Sequence, residues 1–206
     1  MGQISFQRVI LSFVISTLIF ISVFMISYWV VLSKYQGNLA TQQQIWERMS
    51  FIYTSNITDC NDYLTNISIE LDKAGAILGI LEERMGKNNP DVIFLKEDYS
   101  LLELEHLYNI KKYIKQCNEK ITTILFFYSN KDKYLDDAET KGYILSKVKK
   151  DNPKKVMIYS FDYDLNTEPI NNLKEVYHIR KPNVIVIDEQ MIIEHFNDID
   201  DIKQYV

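Results

Sequence analysis

The sequence predicts an α/β protein in which an N-terminal transmembrane helix is followed by an α-helical hairpin and then by a βαβαββα domain. Three observations lead to this prediction. A run of 24 residues near the amino terminus has no charge, and apolar residues then recur with helical spacing. From Ile121 onward the pattern changes to short runs of β-branched and aromatic residues. We therefore expect three regions, residues 1–35, 36–120 and 121–206.

The composition fits a folded chain with an acidic body. Hydrophobic residues make up 47% and charged residues 25% of 206 positions, which excludes a wholly disordered chain. Acidic residues outnumber basic ones by 28 to 23, so the chain has no electrostatic footprint for nucleic acid. Three His, two Cys and the lack of a glycine-rich phosphate motif predict no metal cluster and no cofactor.

The uncharged run covers residues 9–32 and is the predicted contact with membrane lipid. At 1.5 Å per residue it forms about 36 Å of helix, enough to span a bilayer with some tilt. Tyr28, Trp29 and Tyr35 lie where an interfacial aromatic belt is expected. A cleavable signal peptide is the alternative, but its apolar region has about 7 to 15 residues. The length favours an uncleaved single-pass anchor.

The charges that flank the span give a weak preference for orientation. Arg8 and the amino terminus precede it, and Lys34 follows it. The positive-inside rule then slightly favours an amino terminus in the cytoplasm. We expect a cell-membrane protein with an extracytoplasmic body.

The region after the anchor predicts two antiparallel helices. The first carries a heptad seam with alternating spacings of 4 and 3, as in a coiled coil or a helix packed on another helix. Its members are Cys60, Leu64, Ile67, Leu71, Ala74, Leu78, Leu81 and Met85. Glycine, polar residues and proline close it over residues 86–90. The second helix is expected over about residues 97–118, which makes an α-helical hairpin.

The two cysteines lie on the two apolar stripes at similar distances from the turn. Folding the hairpin brings Cys60 and Cys117 toward each other, so we predict a structural disulfide, which persists outside the cytosol. Two unrelated buried thiols are the alternative. The sequons at Asn56 and Asn66 are candidate glycosylation sites, provided that the host glycosylates exported proteins.

The carboxy-terminal region alternates strands and helices. The expected strands are 122–128, 155–161, 183–187 and 191–195, and the expected helices are 136–150, 168–177 and 199–205. A connection of three residues between the last two strands is typical of a β-hairpin. The first strand, helix and second strand form a βαβ unit with parallel strands.

Two segments of this region resemble the thioredoxin family. Phe127-Tyr128-Ser129 resembles the lead-in to the family's C-x-x-C motif, and the segment from Val176 to Val186 resembles its helix, Arg-containing turn, proline and strand. Arg180 is one residue closer to Pro182 than in the family, and Asn183 replaces the usual threonine. The resemblance covers about residues 121–206. It implies a thioredoxin-like fold with a cis proline that lines the site.

The resemblance also implies a lost redox centre. Asp132 and Leu135 stand where the two cysteines should be, and neither side chain can attack or resolve a disulfide. We therefore expect no catalytic residue. The expected binding residues are Asp132, Lys133, Tyr134, Leu135, Pro182 and Asn183.

These features predict a redox-inactive, membrane-anchored thioredoxin-like protein with a binding or assembly role at the cell envelope and a protein partner. In the family, the groove beside the proline can hold an extended peptide through backbone hydrogen bonds. The alternative function is a thiol-disulfide oxidoreductase that uses Cys60 and Cys117. It needs an accessible thiol of lowered pKa, whereas both cysteines lie on apolar stripes.

Overall fold

The computed structural model of the chain describes residues 6–54 and 60–206. The chain forms two compact units, Met1–Gln44 and Ile45–Val206. Helix α1 is Phe6–Thr54, and within it Arg8–Ser33 has a mean hydropathy of 2.8. Among the described residues this is the one helix that is long and apolar enough to cross a membrane. Hydroxyl groups along it donate to carbonyls of the preceding turn, as from Thr17 to Phe13 at 2.9 Å, so they stay satisfied in an apolar surrounding.

Helices α2, Cys60–Met85, and α3, Pro90–Cys117, pack against each other as the predicted hairpin. The seam of α2 is turned inward, and its buried members are Leu64, Ile67, Leu71, Ala74, Leu78 and Leu81. The expected start of the second helix at residue 97 is wrong. Pro90 opens α3 because its missing N–H is not needed in the first turn, and the Asn89 side chain caps the helix by accepting from the Asp91 N–H at 2.9 Å.

The four strands are β1 Thr122–Tyr128, β2 Val156–Asp162, β3 Val184–Ile187 and β4 Met191–Ile193. They form one mixed sheet in the order β2-β1-β3-β4. β1 pairs with β2 in parallel and with β3 in antiparallel, and β3 and β4 form the predicted hairpin. The remaining helices are α4 Asp132–Asp151, α5 Glu168–Val176 and α6 Asp200–Lys203. The mixed α/β class and the element order expected from the sequence are therefore confirmed.

Helices cover both faces of the sheet. Leu125 and Phe127 of β1 belong to a hydrophobic cluster shared with α2, α3 and α5. Ile124 and Phe126 alternate with them and join a second cluster with α4 and α6. Because a central strand is buried on both faces, β1 reads as a continuous apolar run rather than an alternating one.

The structure differs from the expectations at several ends. α4 begins at Asp132 rather than at residue 136, β4 ends at Ile193, and α6 is limited to Asp200–Lys203. The cis proline that the resemblance implies is also wrong, since none of the described peptide bonds is cis. The chain instead turns into β3 through Asn183, whose φ of 62° lies in the left-handed region that asparagine tolerates.

Candidate functional site

The first turn of α4 presents the residues that take the place of a C-x-x-C motif. Asp132 opens the helix, and Asp132 and Lys133 are exposed, whereas Tyr134 and Leu135 are half-buried. The Lys133 ammonium lies 4.5 Å from the centre of the Tyr134 ring. This turn therefore offers a carboxylate, an ammonium and an aromatic face to a partner, and it contains no thiol.

Asn183 holds this turn against the sheet. Its side-chain oxygen accepts from the Ser129 N–H at 3.2 Å, and its side-chain nitrogen donates to the Tyr134 carbonyl and to Asp137, both at 2.8 Å. Its backbone N–H donates to the Phe127 carbonyl. The structure thus brings together the two segments that the sequence places at the candidate site, and Asn183 joins them directly.

A buried lysine, Lys141, stabilises the same junction through hydrogen bonds to backbone carbonyls. Lys141 is 4% exposed, and its ammonium donates to the carbonyls of Asn183 at 2.8 Å and Glu194 at 3.1 Å. It also pairs with Asp137 at 3.1 Å. Asn183 is 2% exposed and Pro182 is buried, so both act as supports, and Asp132 and Lys133 are what this segment exposes.

A second polar cluster lies where the parallel strands β1 and β2 end. Ser129 and Lys131 both donate to the carboxylate of Asp164, each at 2.5 Å. Burial would raise the pKa of Asp164, but the hydrogen bonds from Lys131 and Ser129 outweigh it and lower the pKa below its usual value. Lys131 and Asp164, with Asn88, Asn130, Asp132, Lys133 and Asp162, line a depression of about 600 Å³.

Lys96 connects the helical hairpin to this cluster. The side chain is 3% exposed, and its ammonium lies 2.7 Å from Glu82 of α2 and 3.3 Å from Asp162 of β2. Asp162 also accepts from the Asn130 side chain at 3.0 Å. A buried charge needs such partners, because a lone ammonium would lose its hydration without compensation.

The hairpin, the strands β1 and β2 and α4 line a second cleft of about 440 Å³, which we call the inner cleft. Its walls include Gly75 and Gly79 of α2, Glu103 of α3, Ser160 of β2 and Gly142 of α4. The Glu103 carboxyl accepts from the Ser160 N–H at 2.7 Å and so covers the open edge of the sheet at that point.

The disulfide predicted between Cys60 and Cys117 is present, with the two Cα atoms 6.0 Å apart. Both side chains are half-buried and pack against the core shared by the hairpin and the sheet. α2 has 26 residues and α3 has 28, so the two helices are nearly equal in length. Their ends away from the turn, which carry the two cysteines, therefore meet. Of the candidate glycosylation sites, Asn66 is exposed on α2, and Asn56 lies outside the described residues.

The sequence interpretation missed the polar residues on the core side of α3. Lys96, Glu103 and His106 are all at most 3% exposed. The signal was present, because they belong to a second stripe with spacings of 4 and 3, formed by Val92, Lys96, Tyr99, Glu103, His106, Ile110 and Tyr113. Charged residues at core-facing heptad positions indicate partners elsewhere in the fold.

No protein-family model, curated protein or solved structure matches the chain. The assignment to a thioredoxin-like family therefore stays a prediction from the residues and the element order. The described residues contain no group of three or more His, Cys, Asp or Glu side chains placed to hold a metal ion.

Proposed function

We propose that this chain is a membrane-anchored, redox-inactive thioredoxin-like protein with a binding or assembly role at the cell envelope. The observation that carries the proposal is the junction built by Asn183, which joins the Ser129 loop and the first turn of α4 to the segment after Pro182. These are the two segments that the thioredoxin resemblance predicts to meet. The mixed sheet with a βαβ unit and a terminal β-hairpin is consistent with it.

The redox-inactive part of the proposal follows from the residues at this junction. Asp132 is exposed at the start of α4, and Leu135 is half-buried one turn later. Thiol-disulfide exchange needs a thiolate and a resolving thiol, and the two cysteines of the chain are bonded to each other in the hairpin. A scaffold of this kind without a thiol pair serves binding rather than electron transfer.

The anchor and the disulfide support an extracytoplasmic location for the body. Arg8–Ser33 is long and apolar enough to span a bilayer, and Arg8 lies at the end that the positive-inside rule assigns to the cytoplasm. A disulfide persists in an oxidising compartment. Protease added to intact cells or spheroplasts should then remove a carboxy-terminal tag. A tag that is digested only after lysis would reverse the proposed orientation.

The proposed partner is a protein that contacts the first turn of α4. Every hydrogen-bonding group of Asn183 is used within the chain, so recognition falls to the exposed Asp132 and Lys133 beside the ring of Tyr134. Opposite charges next to an aromatic ring suit a polar protein surface better than a bare apolar peptide.

Site-specific crosslinking tests this proposal in the native membrane. A photoreactive phenylalanine analogue at Tyr134 should give a discrete crosslinked protein, and the same analogue at Tyr143 should not, although Tyr143 is 71% exposed on the same helix. Reversing both charges with Asp132→Lys and Lys133→Asp should reduce the yield of a crosslink formed from Tyr134. Equal crosslinking at 134 and 143, or none at either, would reject the first turn of α4 as the binding surface.

A further inference from the structure

Glu103 stands out because half of its buried carboxyl group has no partner. Glu103 is 1% exposed, and one of its carboxyl oxygens, Oε1, accepts a hydrogen bond from the Ser160 N–H at 2.7 Å. The other oxygen, Oε2, has no hydrogen-bond partner in the described part of the chain. Buried polar groups in native proteins are almost always satisfied, so the unpaired buried oxygen of Glu103, a residue that lines the inner cleft, points to a ligand that binds there.

Two glycines that line the inner cleft are not required by packing. A Cβ atom added to Gly79 or Gly142 would meet nothing within 4 Å, although both residues line the cleft from helix interiors. Glycine is the least favourable helix residue after proline, so these two positions sacrifice helix stability without a close contact in return. Gly75 is different, because a Cβ atom there would lie 2.8 Å from the Tyr99 hydroxyl. Gly79 and Gly142 therefore stand beside open space at the wall of the cleft.

The charges around the cleft leave one acid without a basic partner. Lys149 pairs with Asp72 at 3.3 Å, and Lys87 lies 3.6 Å from Glu139. The third lysine of the wall, Lys96, bridges Glu82 and Asp162. No lysine or arginine of the described residues forms an ion pair with Glu103, whose one polar contact is the backbone of Ser160. A ligand that carries a positive charge would therefore supply the partner that the ionised form of Glu103 lacks.

We propose that the inner cleft binds an organic amine, whose ammonium group donates a hydrogen bond to the open oxygen of Glu103. The apolar part of the amine lies against Leu78, Phe126 and Leu145, which also line the cleft. The rings of Tyr99 and Tyr128 face the same space and add cation–π attraction. The volume of about 440 Å³ is within the range of small-molecule sites. This proposal does not depend on the thioredoxin-like assignment.

Binding of the amine is coupled to proton release. Burial raises the pKa of Glu103 well above its usual value, against the opposing effects of the Ser160 N–H and of Lys149 on α4. Without the amine, Glu103 therefore keeps its proton at pH values where an exposed glutamate has lost it. A cationic amine stabilises the carboxylate, so the Glu103 proton leaves to solvent as the ion pair forms.

The other acids and the tyrosines of the inner cleft supply no positive charge to Glu103. Asp72 on α2 and Tyr128 on β1 share the cleft with it, as do Glu82 on α2 and Asp162 on β2. Burial, Glu103 and Asp72 all raise the pKa of Tyr99, which keeps that hydroxyl neutral. Affinity for the amine should therefore rise with pH until the amine itself loses its proton.

The test uses the full chain in detergent micelles and benzylamine as the probe, with benzyl alcohol and benzoate as matched probes of the same ring. Calorimetry should show benzylamine binding at least about tenfold more tightly than either matched probe, because a hydrogen bond between charged groups is lost with them. The measured heat should change with the ionisation enthalpy of the buffer, which reports the released proton. Equal affinity for benzyl alcohol, or no benzylamine binding, would overturn the proposal.

Two variants and a control identify the site. Glu103→Gln should weaken benzylamine binding about tenfold or more and abolish the buffer dependence, and Gly142→Met should remove binding by filling the cleft. Glu105→Gln, on the same helix but outside the cleft, should bind as the unaltered chain does. An unchanged affinity in both Glu103→Gln and Gly142→Met would place the amine elsewhere. Proton release that persists in Glu103→Gln would assign the proton to another group and refute the mechanism.

Discussion

The imidazole Nδ1 of His106 lies 2.9 Å from the hydroxyl oxygen of Tyr159, and both side chains are almost completely buried between α3 and β2. Burial, with a further contribution from Lys149, lowers the pKa of His106 from 6.5 to about 3. The folded protein therefore favours the neutral form of the His106 imidazole. Its protonation in the unfolded chain links stability to acid.

The first prediction is that His106 makes the protein sensitive to acid below neutral pH. A group with a lowered pKa in the folded state contributes stability that is present above pH 6.5 and is lost as pH falls toward 3. The slope from this one group approaches about 1.4 kcal/mol per pH unit. Denaturant unfolding of the solubilised chain at several pH values should show that the free energy of unfolding falls less steeply with acid in His106→Gln than in the unaltered chain. The exposed His195→Gln should follow the unaltered chain, and parallel curves for His106→Gln would contradict the prediction.

The second prediction concerns the buried ammonium that joins the hairpin to the sheet. Lys96→Met should lower the free energy of unfolding by about 3 to 5 kcal/mol, because Glu82 and Asp162 lose their shared partner. Adding Asp162→Asn should restore part of the loss by removing one stranded charge. The control is Lys203→Met, whose pair with Asp200 is exposed and should contribute no measurable stability. A similar midpoint for Lys96→Met and the unaltered chain would mean that water replaces the ammonium without cost.

The third prediction is that the Cys60–Cys117 bond is the main constraint on the unfolded chain. The two residues are 57 positions apart, and a loop of that size corresponds to about 4 kcal/mol in the chain-entropy description. The double variant Cys60→Ser, Cys117→Ser should lose that amount in denaturant unfolding. Reductant should lower the midpoint of the unaltered chain and leave the variant unchanged. Two alkylated thiols in fresh, non-reduced protein would show that the bond is absent in the cell.

The fourth prediction restores a thiol pair at the start of α4. Asp132→Cys with Leu135→Cys should form an intramolecular disulfide and reduce insulin, because the helix amino terminus lowers the pKa of a thiol there. The matched pair Asp136→Cys with Glu139→Cys has the same spacing one turn later and should be much less active. The unaltered chain should have no activity. Thiols at 132 and 135 that never pair would refute the thioredoxin-like alignment.

Much of the architecture was predictable because its elements carry strong periodic patterns. The seam from Cys60 to Met85 gave the bounds of α2, and the apolar run at Thr122–Tyr128 gave those of β1. Pro90 is ambiguous in the sequence, since proline is compatible both with a loop and with the first position of a helix, which is where the structure places it. Local patterns are ambiguous wherever one residue type fits two structures.

The candidate sites depend on contacts between distant residues, which the local pattern does not specify. Asn183 was singled out only through the resemblance, and its bonds to Ser129 and Tyr134 exist because the sheet places β3 beside β1. Glu103 meets Ser160 across 57 positions of sequence. Such partners follow from strand order, which a single sequence without an alignment does not reveal.

The hydrophobic cluster that includes Leu71, Leu107, Phe127 and Tyr159 spans the hairpin and the sheet together. A fragment limited to residues 121–206 would expose the apolar face that α2 and α3 cover, so it should self-associate instead of folding as a soluble domain. The hairpin precedes the sheet in the chain, so it is synthesised first. The apolar face of the sheet then packs against helices that have already formed. The order of the segments along the chain thus lets the hairpin cover this apolar face early, which reduces aggregation of the newly made chain.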